Sequence, residues 1–188
     1  VTLAKLGEGT QGDVLYYGAS GAPARLGFGT SGYFLKTQGT GANPAWAEAG
    51  GGKIGQVITA TDNTSRSTTS TSFVTASSTL TLAITPAATS SKIFVTTQFT
   101  SGATADDQLG YFTIYRGVTN LGDSTNGMVR FASYVGADNY FPISMSILDS
   151  PSSTSELTYQ VYVKVSVGTS YINYGAGLVS ITAFEVLA

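Results

Sequence analysis

The sequence predicts an all-β chain in two parts, a short glycine-punctuated repeat followed by a jelly-roll β-sandwich. Three observations carry this reading. The first 50 residues repeat themselves at an offset of twenty; the remainder runs in apolar-polar alternation of period two; and no window of helical length shows the helical period.

The repeat comes first in the chain. Ala4-Lys5-Leu6-Gly7, Gly9-Thr10, Gly12 and Leu15 recur as Ala24-Arg25-Leu26-Gly27, Gly29-Thr30, Gly32 and Leu35, and Gly21-Ala22 recurs as Gly41-Ala42. In each unit a short apolar or aromatic run, Val14–Tyr17 and then Tyr33–Leu35, is bracketed by glycines and followed by a proline turn at Pro23 or Pro44. Such runs read as short strands joined by tight turns. Helix is a poor alternative, because each interior glycine costs about 1 kcal/mol against alanine. A repeat of this size cannot bury its own apolar face and must stack on copies. Two copies are too few, so identical neighbouring chains are expected to supply the missing surface.

Ala45-Trp46-Ala47-Glu48 closes the repeats, and Gly50-Gly51-Gly52 follows as a flexible joint. The expected organisation is a repeat shaft of intertwined strands over 1–50, a linker over 51–55 and a head domain over 56–188. Trp46, the single tryptophan, reads as a hydrophobic plug at the end of the shaft in preference to a sugar-stacking surface.

The same glycines imitate two nucleotide motifs. Gly7-x-Gly9-x-x-Gly12-x-Val14 matches a kinase glycine loop, and Gly27-x-Gly29-x-x-Gly32 matches a dinucleotide fingerprint. A dinucleotide loop must open a helix and be followed by an acidic residue about twenty positions on. No helical pattern follows here, and the chain has neither His-Arg-Asp nor Asp-Phe-Gly. Recurrence at the repeat period explains both matches without a phosphate ligand.

In the head, Leu80, Leu82 and Ile84 alternate with Thr81 and Ala83, and Ile93, Val95 and Phe99 with Lys92, Thr96 and Gln98. Phe141, Ile143, Met145 and Ile147 alternate with Pro142, Ser144 and Ser146. The longest run sets Leu157, Tyr159, Val161, Val163, Val165 and Val167 against Gln160, Tyr162, Lys164 and Ser166. Each reads as a strand with one face in a core. Two segments are apolar on both faces: Gly110–Arg116, with Tyr111 and Tyr115 opposite Phe112 and Ile114, and Leu178–Leu187, with Phe184 and Val186 opposite Ile181 and Leu187. Such a strand is covered twice, by a neighbouring subunit or by a loop of its own chain. Trp46, Tyr111, Tyr115, Phe184 and Val186 are therefore the expected subunit-interface residues. Roughly eight to ten strands without helices fit a jelly roll.

Composition excludes several functions. The nine Lys and Arg are scattered singly, which leaves no basic stripe for nucleic acid. Cysteine and histidine are absent, which removes disulfides, thiolate or imidazole metal sites, and every triad built on histidine. No run reaches the roughly 18 apolar residues of a membrane span, and Val1–Gly12 has no signal-peptide pattern. Catalysis would rest on eleven carboxylates. Asp106 and Asp107 are adjacent and would converge only in a loop. A calcium site drawn from Asp106, Asp107 or Asp138-Asn139 falls short of the six to eight oxygens such an ion takes. The chain is expected to be neither an enzyme nor a cofactor or metal binder. Tyrosines in neutral polar loops suit contact with a sugar or protein by stacking and hydrogen bonding. The expected ligand-contact residues are Tyr134, Asp138, Asn139, Tyr140, Tyr171 and Tyr174, each set against the plainer role of packing a loop onto the sandwich.

Two sets of residues resemble known proteins. Gly12-Asp13-Val14-Leu15-Tyr16-Tyr17, Ala24-Arg25-Leu26-Gly27-x-Gly29-Thr30-x-Gly32, Leu35 and Asn43-Pro44-Ala45-Trp46-Ala47 resemble the short repeats of bacteriophage tail fibres and other virion fibres. Ser91-Lys92-Ile93, Leu148-Asp149-Ser150-Pro151 and the closing Ser180-Ile181-Thr182-Ala183-Phe184-Glu185-Val186 look like the jelly-roll heads that phage fibres share in shape with C1q and tumour-necrosis-factor modules. The resemblance implies a homotrimer located in a virion, with other virion proteins and a host cell-surface glycan or protein as partners. The alternatives are a purely architectural virion part, such as a capsid decoration or fibre adaptor, and, less favoured, a polysaccharide depolymerase.

Overall fold

The computed structural model describes residues 7–48, 53–134 and 139–187. The chain divides into two compact units, Val1–Gly51 and Gly52–Ala188.

The first unit holds two antiparallel hairpins. β1 (Val14–Tyr17) pairs with β2 (Pro23–Leu26) around a short 3₁₀ turn at Ala19–Gly21, and β3 (Tyr33–Lys36) pairs with β4 (Ala45–Glu48). The twenty-residue offset reappears in the turns. Thr10 O accepts from Asp13 N at 3.1 Å, and Thr30 O accepts from Tyr33 N at 3.0 Å. Gly12 and Gly32 sit at φ +94° and +87°, a conformation that glycine adopts without the steric cost of a Cβ. The carbonyl that follows the Ala-x-Leu motif is capped in both copies but by different donors: the Arg25 guanidinium reaches Gly7 O, and Trp46 Nε1 reaches Gly27 O. Both hairpins remain two-stranded, and β3 is exposed along its whole length. A hairpin of this kind is marginal in water by itself.

The second unit is a jelly roll. Its strands are β5 (Ile54–Asp62), β6 (Arg66–Thr68), β7 (Val74–Thr75), β8 (Thr81–Ile84), β9 (Lys92–Ala103) and β10 (Leu109–Arg116), followed by β11 (Thr119–Asn120) and β12 (Val129–Ala132). Then come β13 (Asn139–Asp149), β14 (Leu157–Val165), β15 (Ser170–Ile172) and β16 (Val179–Val186). Several are halves of one interrupted strand, so twelve labels describe eight strand positions. One layer runs β5/β6, β16/β15, β9, β13; the other runs β8/β7, β14, β10, β12/β11. The chain crosses between layers at almost every step, as a jelly roll requires. The first strand already begins at Ile54, which pairs with Val186, so the last residues of the expected linker belong to the head.

The core lies between the layers. Leu82, Ile84, Phe112, Ile114, Tyr159, Val161 and Val163 from one layer meet Ile93, Val95, Phe99, Ile143, Met145, Ile181 and Ala183 from the other. These are the inward phases of the alternation, and burying each large side chain contributes about 1.5–3 kcal/mol. Three buried carboxylates tie the edges. Asp149 accepts from Tyr159 and, twice, from Arg116. Asp62 accepts from Ser77, Thr64 N and Arg66. Glu185 turns inward at a register shift in β16 and accepts from Gln56 Nε2 at 2.8 Å and Ala87 N at 2.6 Å.

Candidate functional site

The outward face of the β5–β16–β9–β13 layer is graded from one end to the other. Strand register aligns its side chains in cross-strand rows. At one end Val57, Phe184, Phe94 and Leu148 form a row across all four strands. Val57, Phe94 and Leu148 are solvent-exposed, Val57 and Leu148 by half or more. The middle rows are hydroxyl and amide: Thr59, Thr182, Thr96 and Ser146, then Thr61, Ser180, Gln98 and Ser144. At the far end Tyr140 and Tyr171 flank Gly102 from the two sides of β9.

Tyr174 completes that end. Its ring lies over Gly102, where a Cβ would come within 3.1 Å of Tyr174 Cδ2. The ring is 4.8 Å from Tyr140 and 4.9 Å from Tyr171 between centroids, inclined at 54° and 75°. The three rings therefore make an aromatic corner, and the missing side chain of Gly102 is the space that admits it. Tyr140 is 54% exposed and forms its open side.

The corner is set by a loop that interrupts the pairing of β9. β15 pairs with Ser101–Ala103 and β16 with Lys92–Gln98; between them Asn173–Leu178 leaves the ladder, held by Tyr174 N on Thr100 O and Asn173 Nδ2 on Gly177 O. Asn173, Gly175 and Ala176 all have positive φ, and alanine has no side-chain group to offset the cost. Beside this loop a groove of about 450 Å³ opens over Gln98, Thr100, Pro142 and Ser144. No outward residue of its rows is charged.

The six expected ligand residues thus separate. Tyr140, Tyr171 and Tyr174 come together. Asn139 points to the other side of β13 and donates to Ser133 Oγ at 2.8 Å; exposed Tyr134 lines a smaller groove there, with Asn139 and Phe141. Asp138 lies outside the described residues. Gly102, Gln98 and Thr100 escaped sequence reasoning. Phe94 and Leu148 escaped too, although each is an apolar residue in the polar phase of its strand, and that break in alternation was the available signal.

The expected interface residues separate as well. Phe184 and Val186 lie on the graded face. Tyr111 and Tyr115 lie on the outward face of the opposite layer, where their own chain covers them: Tyr115 stacks on Tyr162 at 3.9 Å, and Lys164 Nζ sits 5.0 Å from the Tyr111 ring and 4.7 Å from Phe73. Trp46 packs on Gly29 within the first unit, whose Cβ position is 2.6 Å from Trp46 Cδ2. Asp106 and Asp107 occupy the turn between β9 and β10, and no cluster of three metal-ligating side chains occurs among the described residues. Asp123, at a loop tip, has its carboxyl held below the usual range by the N–H groups of Asn126 and Thr125, an ordinary turn lock.

No protein-family profile and no curated protein matches this chain. Among solved structures, that of the Gt strain of infectious bursal disease virus aligns over 93% of this chain and 47% of its own, with 15% identity and a TM-score of 0.37. The VP2 subviral particle of the same virus aligns over 88% and 44%, with 15% identity and a TM-score of 0.36. The chain spans less than half the length of either.

Proposed function

We propose that this chain is a trimeric component of a phage virion fibre, whose first unit forms a repeat shaft and whose jelly-roll head contacts the host cell surface. The observation that carries the reading is the graded face of the head, apolar at one end and tyrosine-rich at the other. An exposed apolar row across four strands is the kind of surface that a subunit contact covers. An aromatic corner open to solvent is the kind that a ligand covers. One face therefore offers assembly at the Phe184 end and recognition at the Tyr140 end. The repeat unit supports the same reading, because Leu15, Tyr17, Tyr33, Phe34 and Leu35 are all exposed on two-stranded hairpins and Phe28 is exposed in the connection between them. Copies related by rotation would cover them and extend the hairpins into larger sheets.

The molar mass of the purified full chain by sedimentation equilibrium, over a hundredfold range of concentration, tests the proposal. Three chain masses at every concentration is the expected result. A monomer throughout overturns it. Adsorption of the trimer to bacterial cells separates a receptor-binding fibre from an architectural part, which binds virion proteins alone.

A further inference from the structure

We infer that the aromatic corner of Tyr140, Tyr171 and Tyr174, together with the groove that continues from it, binds a neutral oligosaccharide. This rests on the reading that the tyrosine end of the head is a recognition surface, and it names the ligand class. Three features of the site select that class.

The first is charge. A phosphate, sulfate or carboxylate ligand calls for a cation or a cluster of N–H donors. The rows around Gly102, Thr100 and Gln98 present tyrosine, threonine, serine, glutamine and proline, and none of their outward residues is charged.

The second is shape. Rings inclined at 54° and 75° make a corner, not a flat floor. A corner receives the C–H face of one pyranose on the exposed Tyr140 ring while its edge meets Tyr174. The volume of about 450 Å³ beyond it falls in the range of small-ligand sites and carries the chain onward.

The third is hydrogen-bonding capacity. Thr100, Gln98 and Ser144 place hydroxyl and amide groups along the groove at the spacing of the strand rows. Such groups both donate and accept, which suits sugar hydroxyls. An aliphatic ligand would leave them unpaired, at a cost. The run of positive φ at Asn173, Gly175 and Ala176 adds an independent sign, since strain of this kind collects at ligand sites.

The test is binding of the full chain to maltotetraose, cellotetraose, mannotetraose and chitotetraose, with dextran sulfate as the anionic comparator, by calorimetry and saturation-transfer NMR. Binding of at least one neutral tetrasaccharide is expected, with saturation transfer strongest to the protons of one sugar face. Tyr140→Ala and Tyr174→Ala should each weaken it about tenfold, whereas Tyr140→Phe, which keeps the ring, should retain most of it. Phe184→Ser, at the opposite end of the face, should leave it unchanged. Tyr140 is exposed, so its replacement does not endanger the fold. Failure of all four neutral sugars to bind, binding of dextran sulfate alone, or full affinity in Tyr140→Ala each overturns the inference. A trimer that adsorbs to cells but binds none of these sugars overturns the ligand class and leaves the fibre reading standing. A monomer that binds them does the reverse.

Discussion

The hydroxyl of Tyr159 donates to Asp149 Oδ2 at 2.6 Å, and both residues are buried where β14 passes the end of β13. Arg116, from β10, closes on the same carboxylate through two contacts of 2.7 Å. Burial and the bond to Asp149 push the Tyr159 hydroxyl well above the ordinary tyrosine range. A charged pair inside a sandwich is stable only when its remaining lone pairs are satisfied, and Tyr159 does that here.

Removing that hydroxyl should therefore cost more than an average hydrogen bond. Tyr159→Phe is expected to destabilise the head by about 1.5–3 kcal/mol, the range for bonds to a charged group. Arg116→Ala should cost about 3–5 kcal/mol, because it leaves the buried carboxylate without its countercharge. Urea unfolding of the two variants measures both, and a smaller loss in Arg116→Ala than in Tyr159→Phe would contradict this account.

Acid should weaken the head through Asp62 and Glu185. Burial opposes the charge on Asp62, but bonds from Ser77, Thr79 and Thr64 N, with Arg66 nearby, outweigh it and hold its pKa well below the usual value. For Glu185 burial is likewise outweighed, by Gln56 and the Ala87 N–H, and the pKa is lowered. A depressed pKa means that the folded state binds the proton less tightly than the unfolded one. The stabilisation is complete above the unfolded values of about 3.9 and 4.3, and it is lost as pH falls below them toward the folded ones. Melting temperature should hold between pH 7 and 5 and drop steeply below about pH 4. Asp62→Asn should be less stable at pH 7, by on the order of 2 kcal/mol, with a shallower acid limb.

Trp46 reports on the repeat unit. Gly29→Val would drive a side chain into the Trp46 ring, given the 2.6 Å separation at Cβ alone. Expected results are a red-shifted emission from the single tryptophan and a head whose unfolding midpoint is unchanged. An unaltered spectrum would show that the ring does not rest on Gly29.

Assembly should depend on the apolar row. Phe184→Ser and Phe94→Ser replace rings 6.1 Å apart on adjacent strands, on the outward face and away from the core. Each should shift the proposed trimer toward monomer at low concentration, by about tenfold or more in the dissociation constant, with little change in the far-ultraviolet spectrum. Tyr115→Ser, in the face covered by Phe73 and Tyr162, should lower stability without changing the mass. If Tyr115→Ser dissociates the assembly and Phe184→Ser does not, the subunit contact lies on the opposite layer.

Alternation was legible where it was regular. Leu157 to Val165 is one strand with Tyr159, Val161, Val163 and Val165 buried, because a period of two leaves one solution for which face enters the core. Val167, expected in the same run, falls beyond the strand end and is exposed. The glycine offset was equally plain, since a left-handed turn leaves its mark on residue type, as at Gly12 and Gly32. The covering of Tyr111 and Tyr115 was not legible, because Lys164 reaches Tyr111, and Phe73 and Tyr162 reach Tyr115, from segments that are distant in sequence. Among the expected ligand residues, Asn139 fell on the other side of β13 because it is one residue out of phase with Tyr140.

The amino-acid order by itself determined the all-β class, the twenty-residue repeat, the inward faces of the strands and the absence of cysteine and histidine chemistry. These depend on local periodicity and residue type, which act between near neighbours in the chain. Tertiary structure alone decided that Tyr140, Gly102, Tyr171 and Tyr174 meet, and that Val57, Phe184, Phe94 and Leu148 line up. Those relationships depend on strand register across β5, β16, β9, β13 and β15. Register is set by the packing of the whole sandwich, because a slip of one residue would turn every side chain of a strand to the opposite face.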